Sequence, residues 1–249
     1  MNAPKPRLEV CVDSAAGLEV ADRAGVDRVE LCSALSLAGL TPSGGLMALA
    51  ATKAIPCFVL IRPRAGDFSY DARDVDVMRR EIDIVRSMRL AGIVIGASRP
   101  DGSLDEEVLR ALLEHAAELP AVLHRAFDLA PDFDAALETA IELGFIRVLT
   151  SGGAPDAVGG SAVIRRLVER AADRIEVMAG AGLTPDNVIH FVRTTRVPAL
   201  HSSCSTPLEH PATDTTQRGS ALGFIPARLS VTDPRKVAAM LASLESLRA

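Results

Sequence analysis

The chain opens with two short strand-like runs, LEVCVD at residues 8–13 and RVELC at residues 28–32. Each run has the length of one strand and is rich in aliphatic and β-branched residues. Each also carries an acid two positions before a thiol, Glu9 before Cys11 and Glu30 before Cys32. Because residues i and i+2 of a strand share a face, each acid should lie beside its thiol and opposite the aliphatic residues.

Runs of the same kind recur along the chain and alternate with helical segments. They are predicted as strands at 57–61, 92–96, 121–125, 146–150, 174–178 and 199–203. Alternation of strands and helices requires parallel strands joined by right-handed crossovers. Eight strands in 249 residues fit one (β/α)8 barrel, of the α/β class. A doubly wound open sheet is the competing fold, but it usually has fewer strands, and no GxGxxG follows the first strand.

We therefore predict a single TIM-type barrel domain over residues 1–249. The exception is a polar segment without periodicity at about 204–230, which we expect to be a long irregular loop, either a lid or disordered. Helix starts are predicted from capping signals. Ser103 and Glu106 should form a capping box before the fourth helix, and Thr184 should cap a seventh helix that begins at Pro185.

Composition excludes several functional classes. Charges of both signs are interspersed with a net charge of −5, so neither nucleic acid nor an anionic membrane is expected as a partner. Residues 1–7 lack the apolar segment of a signal peptide, and no apolar run reaches the roughly 18 residues of a membrane-spanning helix. The four cysteines form no CxxC pair. A cytoplasmic protein with reduced thiols is the default expectation.

The acids of the first two strands should face the barrel interior, since helices cover the outer faces of such strands. Polar residues also gather at the carboxyl ends of the other predicted strands, which predicts one polar pocket at the mouth of the barrel. Glu9, Glu30, His124 and His201 are the candidate catalytic residues, because carboxylates and imidazoles transfer protons near neutral pH. Whether His124 or Arg125 faces the interior stays open, since adjacent residues of a regular strand point to opposite sides.

A second set of residues is a candidate anion-binding site. Arg62 and Arg64 follow the third strand and either clamp an anion or form ion pairs with Glu9 or Glu30. Loops with glycine, SGG at 151–153 and GAG at 180–182, follow the sixth and seventh strands and offer backbone N–H groups, as in the phosphate sites of many barrels, although ordinary turn chemistry is the favoured interpretation of each loop taken alone. The candidate anion-binding residues are Arg62, Arg64, Asp128, Ser151, Gly152 and Gly180.

The thiols Cys11 and Cys32 repeat with an acid at the same offset on neighbouring strands. Strands lie about 4.8 Å apart, so two inward thiols could jointly bind a soft ion such as Cu(I). Side-chain layers in these barrels come from alternate strands, however, and the two sulfur atoms could be offset by one layer. Cys57, at the start of the third strand, is interpreted as a buried hydrophobic residue. No organic cofactor is indicated.

Six segments together resemble the CutC family, which is named for copper homeostasis. They are LEVCVDS (8–14), RVELC (28–32), GLTPS (39–43), IRPRAGDFSY (61–70), HRAFD (124–128) and LTSGG (149–153). The resemblance covers about residues 8–203. It implies a TIM-type barrel, a cytoplasmic homo-oligomer (dimer or tetramer), and Cu(I) binding through two cysteines that match Cys11 and Cys32. Ala181 departs from the family pattern, which has glycine there, and residues 206–228 do not match it.

Two functions follow as hypotheses. The first is copper homeostasis, with the copper ion as partner and Cys11 and Cys32 as its ligands. The alternative is a barrel enzyme of unassigned reaction that acts on a small anionic molecule, including phosphorylated ones. A third interpretation, the least favoured, is a polar interior that serves stability alone.

Overall fold

The computed structural model of this protein describes residues 5–208, 213–225 and 229–248. Eight parallel strands pair in chain order, and the eighth returns to pair with the first, so the sheet closes into a barrel. The predicted (β/α)8 fold is therefore confirmed. Across the described ranges, no helix is both long and apolar enough to cross a membrane.

The strands of the barrel are short and begin close to the predicted positions, except that the seventh lies two residues later. They are β1 Arg7–Val12, β2 Arg28–Leu31, β3 Cys57–Leu60, β4 Gly92–Ile95, β5 Ala121–Leu123, β6 Arg147–Thr150, β7 Glu176–Gly180 and β8 Ala199–Ser202. The helices of the described residues are α1 Ala15–Ala24, α2 Gly44–Ala50, α3 Ala72–Ser87, α4 Glu106–Ala116, α5 Phe133–Glu142, α6 Ser161–Ala171, α7 Val188–Thr195, α8 Asp214–Ala221 and α9 Pro234–Glu245.

Helix α3 shows how the sequence builds the outer layer. Asp71 caps it by accepting the backbone N–H groups of the first turn. Met78, Ile82 and Val85 recur at helical spacing and are fully buried against the barrel. Burial of each such side chain stabilises the fold by about 1.5–3 kcal/mol.

Two predicted helix starts are wrong. Helix α4 is capped by Asp105, which accepts from the Val108 N–H, so Ser103 and Glu106 form no capping box. Helix α7 begins only at Val188. The Asn187 side chain accepts the N–H of Thr184 and donates to the Gly182 carbonyl, and these bonds hold a separate turn before the helix.

The strand faces divide as the alternation predicts. Leu8, Val10 and Val12 of β1 pack with the helices in the outer core. Cys11 belongs instead to a separate cluster inside the barrel, together with Cys32. The expectation that the aliphatic faces point outward and the acid–thiol faces inward is confirmed.

The segment at about 204–230 is not irregular throughout, which corrects the prediction. Strand β9 (Ser205–Leu208) pairs antiparallel with β10 (Leu229–Thr232), and helix α8 lies between them in the chain. These two strands form a sheet of their own, separate from the barrel. The parts of the predicted lid or disordered loop at 209–212 and 226–228 lie outside the described residues.

Candidate functional site

A cavity of about 920 Å³ opens at the carboxyl ends of the barrel strands. Its size is that of a small-molecule site. Seven of the predicted site residues line it: Cys11, Glu30, Cys32, Arg62, His124, Asp128 and His201. The other five lie outside its lining: Glu9, Arg64, Ser151, Gly152 and Gly180.

Three side chains converge on the floor of this cavity. Cys11, Glu30 and His201 each offer one donor atom, and these three atoms lie within 4.8 Å of one another. They come from β1, β2 and β8, which are adjacent around the barrel, and Cys11 lies opposite Glu30 in the register. Cys32 is not part of this group among the described residues, although it lines the same cavity.

Glu9 lies beneath the cavity and orients His201. The Glu9 carboxylate is 1% exposed and lies 2.9 Å from His201 Nδ1. Burial alone would raise the pKa of Glu9, but His201, Arg147 and Arg28 outweigh burial and lower it. Glu9 is therefore an acceptor, and Nδ1 carries the donated proton. His201 Nε2 then faces Glu30, 3.4 Å from its carboxylate.

The charges of the cluster depend on one another. Burial disfavours charged His201, but Cys11, Glu9 and Glu30 outweigh burial and raise its pKa well above the ordinary value. Burial raises the pKa of Glu30 to about 7, with His201 opposing and Glu9 reinforcing the shift. Burial, followed by Glu30 and Cys11, raises the pKa of the Cys32 thiol. A metal ion binds the deprotonated forms of these side chains, so metal binding at this cluster would release protons.

Below this cluster lies a buried ion-pair network that sequence reasoning missed. Arg28 donates to Glu9 at 3.1 Å and to Glu176 at 2.6 Å, and Arg147 also donates to Glu176. The signal was available, because Arg28 is two residues before Glu30 and so shares its inward face. The alternative in which Arg62 or Arg64 pairs with Glu9 or Glu30 is wrong, because Glu9 pairs with Arg28 and Arg147, and Glu30 lies beside His201.

Arg62 and Arg64 have different environments. Arg62 is 4% exposed, lines the cavity and has no carboxylate within 4.0 Å among the described residues. Arg64 lies at the surface and pairs with Asp67 and Asp74. The structure therefore does not bring the two arginines together as one clamp.

The sequence left open whether His124 or Arg125 faces the interior, and in the structure both residues line the cavity. Strand β5 ends at Leu123, and a 3-10 helix over Arg125–Leu129 follows, so strand alternation no longer applies. His124 Nδ1 accepts the Ala126 N–H at 3.0 Å. Burial, reinforced by Arg62, lowers the pKa of His124 to about 3, so its ring is neutral and its proton resides on Nε2.

The backbone N–H groups of the glycine loop after β6 are already bonded to a carboxylate of the protein itself. The Asp128 carboxylate accepts the backbone N–H groups of Ser151 and Gly153 and the side-chain donors of Thr150 and Arg125. These N–H groups are therefore directed at Asp128 rather than at the cavity. Asp128 accordingly holds the loop in place and has few lone pairs left for a ligand.

The two glycines of the predicted anion set serve backbone packing. Gly152 has a φ of +72°, and its N–H donates to the Thr150 hydroxyl. A Cβ at Gly180 would lie 2.8 Å from Leu149 and 3.2 Å from His201 Cβ. Gly180 therefore leaves the space that His201 occupies.

The comparisons with known proteins agree with this geometry. The profile of the CutC family matches residues 6–206. A CutC family protein of Caulobacter vibrioides is 52% identical over 247 residues, which cover 99% of this chain and 100% of that protein. A human protein named copper homeostasis protein cutC homolog is 40% identical over 92% of this chain and 86% of its own length.

Solved structures support the fold. The crystal structure of CutC from Streptococcus agalactiae superposes with a TM-score of 0.76 at 32% identity, covering 80% of this chain and 98% of that one. Phosphoribosylanthranilate isomerase of Thermotoga maritima reaches a TM-score of 0.58 at 12% identity, covering 97% of this chain and 99% of that one, which shows a shared barrel alone. By its profile match, its relatives and its barrel, this chain belongs to the CutC family.

Proposed function

We propose that this protein binds Cu(I) in copper homeostasis, on the floor of the barrel cavity. The convergence of Cys11, Glu30 and His201 within 4.8 Å is the observation that carries the proposal. Thiolate and imidazole ligands suit a soft or borderline metal ion. The human relative is also named for copper homeostasis.

The surroundings of His201 are those of a metal ligand. Histidines that bind metals usually donate their second ring N–H to a carboxylate, which fixes the tautomer. Glu9 accepts that proton here and is itself fixed by Arg28. We therefore assign Cys11 Sγ and His201 Nε2 as the first two ligands.

Cys32 and Glu30 compete for the third position. Cys32 lines the same cavity and would supply a second sulfur, which would give the two-cysteine site expected from the sequence. A thiolate suits Cu(I), whereas the harder carboxylate of Glu30 suits Zn²⁺ better. The residue whose substitution weakens metal binding, Cys32 or Glu30, therefore indicates which metal ion the site prefers.

Anaerobic competition titrations with a chromophoric Cu(I) chelator test the proposal. We expect Cys11→Ser and His201→Asn each to weaken Cu(I) binding at least about tenfold, since each removes a ligand. Cys32→Ser should weaken Cu(I) strongly and Zn²⁺ little. Cys57→Ser is the matched control, because Cys57 is a buried thiol of the outer core, away from the cavity.

Equal Cu(I) affinity for the wild type and Cys11→Ser would overturn the site. Zn²⁺ binding that is tighter than Cu(I) and independent of Cys32 would leave the cluster a metal site but refute copper as its ion.

A further inference from the structure

Among the described residues, two buried side chains that line the cavity carry a nitrogen without a hydrogen-bond partner. They are Arg62, at Nε, and His124, at Nε2. The two residues are neighbours, because the charge of Arg62 helps to lower the pKa of His124. Buried polar groups normally find partners, so two such neighbours on one cavity wall require an explanation.

Arg62 is held in place by the loops but keeps free donors. Its Nη1 donates to the carbonyls of Leu37 and Gly39, both at 2.8 Å, and its Nη2 donates to the Gly66 carbonyl at 2.7 Å. These three bonds use three of the five N–H donors of a guanidinium, and Nε–H is among those left. Carbonyl partners fix the plane of the group without neutralising its charge.

The charge of Arg62 therefore has no counter-charge within ion-pair distance in the described parts of the chain. Every arginine of the ion-pair network below the cavity contacts a carboxylate, as Arg28 and Arg147 do. Removal of one partner from a buried ion pair is strongly destabilising, so an unpaired buried guanidinium is unusual. An anion would supply the missing charge.

His124 contributes a neutral donor beside this cation. Its Nδ1 is occupied by the Ala126 N–H, so the proton lies on Nε2. His124 is 5% exposed, and its ring lies 4.6 Å from the ring of Phe68, centroid to centroid. Phe68 also packs on Arg62, 5.0 Å from its Cζ, and all three residues line the cavity.

From this geometry we propose that the wall formed by Arg62, His124 and Phe68 binds the oxyanion group of a small organic ligand, a carboxylate or a phosphate. The nitrogen donors are buried just beneath the cavity surface, so binding requires a shift of the neighbouring side chains, among which the half-buried Phe68 contacts both residues. The cavity is far larger than a metal ion requires and has room for the rest of such a molecule. This inference does not depend on copper.

Titration of metal-free protein with inorganic phosphate, and separately with malonate, tests the proposal by ¹H–¹⁵N spectra of arginine Nε–H and imidazole Nε2–H groups. We expect saturable shifts of the Arg62 and His124 signals with at least one probe, and the probe that binds identifies the oxyanion class. Arg62→Gln should weaken binding about 10- to 100-fold, the usual range for a charge-assisted bond.

Arg64→Gln is the matched control, because Arg64 is two residues away, exposed and already paired with Asp67 and Asp74. Should Arg62→Gln fail to fold, His124→Asn provides the second test, since its side-chain oxygen still accepts the Ala126 N–H while the Nε2–H donor is lost. Cys11→Ser should bind the anion normally, which separates this proposal from the copper site.

The proposal is overturned if neither probe gives a saturable shift. It is also overturned if Arg64→Gln weakens binding as much as Arg62→Gln, or if His124→Asn binds both probes as the wild type does.

Discussion

At the lower end of the barrel interior Arg28 and Arg147 pair with acids, whereas at the mouth Arg62 donates to backbone carbonyls and pairs with no acid of the described residues. Both regions are buried and both use the same kinds of side chain. At the lower end, Glu9 and Glu176 neutralise Arg28 and Arg147. At the mouth, Arg62 Nε and His124 Nε2 lack hydrogen-bond partners and have no acid beside them in the described parts of the chain, whereas the one such donor of the lower network, Arg147 Nη1, lies 3.6 Å from the Glu9 carboxylate. An inward charge by itself therefore does not mark a site, and a buried charge without a neutralising partner is the better indication of one.

The largest predicted effect is at the lower end. Arg28→Met removes the cation between Glu9 and Glu176 and leaves both buried carboxylates short of a partner. We expect a loss of about 3–5 kcal/mol in the free energy of unfolding, measured by urea denaturation. Arg23→Met, in an exposed pair with Glu19, is the control and should change little. Equal stability of both variants would show that the lower network is not structural.

The next effect is at the rim, where Asp128 is as fully bonded as the lower network. Asp128→Asn replaces an acceptor by a group with N–H donors and leaves the Ser151 and Gly153 N–H groups without their charged partner. We expect a loss of about 2–3 kcal/mol in the same assay. Asp132→Asn should change stability little, because Asn caps a helix as well as Asp does. A tolerated Asp128→Asn would show that the negative charge of this side chain is not needed to hold the loop.

A pH effect distinguishes His124 at the mouth from the paired groups below it. Its folded pKa of about 3 lies below the value of 6.5 in the unfolded chain, so the unfolded chain binds the proton first. Stability from this group is complete above pH 6.5 and falls as the pH decreases toward 3. At pH 5 the loss is about 2 kcal/mol. His124→Asn should therefore flatten the decrease in unfolding free energy between pH 6.5 and 5, and an unchanged slope would contradict the neutral, buried state of this ring.

The smallest effect is expected at Arg64, which has the same side chain as Arg62 but lies outside the cavity. Arg64→Gln breaks the pairs with Asp67 and Asp74, a hydrogen bond to the Ser69 carbonyl and the contact of the guanidinium with the Tyr70 ring, and none of these partners lines the cavity. We expect the thermal midpoint and the Cu(I) affinity to stay within experimental error of the wild type. A loss of Cu(I) binding in this variant would show that the surface loop takes part in the site.

The sequence located the site on the first two strands because strand alternation is a local rule. It correctly placed Glu9, Cys11, Glu30 and Cys32 inside the barrel, since aliphatic neighbours must face the helices. The same rule would have found Arg28, two residues before Glu30. It could not separate Arg62 from Arg64, because both follow the end of β3, where the path of the loop decides direction.

Periodicity and spacing within short segments were enough to predict the closed eight-stranded barrel and the inward faces of its strands. Which inward groups meet depends on contacts between segments that are far apart in the chain. Cys11, Glu30 and His201 converge because β8, near the end of the chain, closes onto β1. Contacts of the same kind direct Asp128 at the glycine loop and leave Arg62 without an acid beside it among the described residues. Partners of that kind depend on distances between loops that no local pattern encodes.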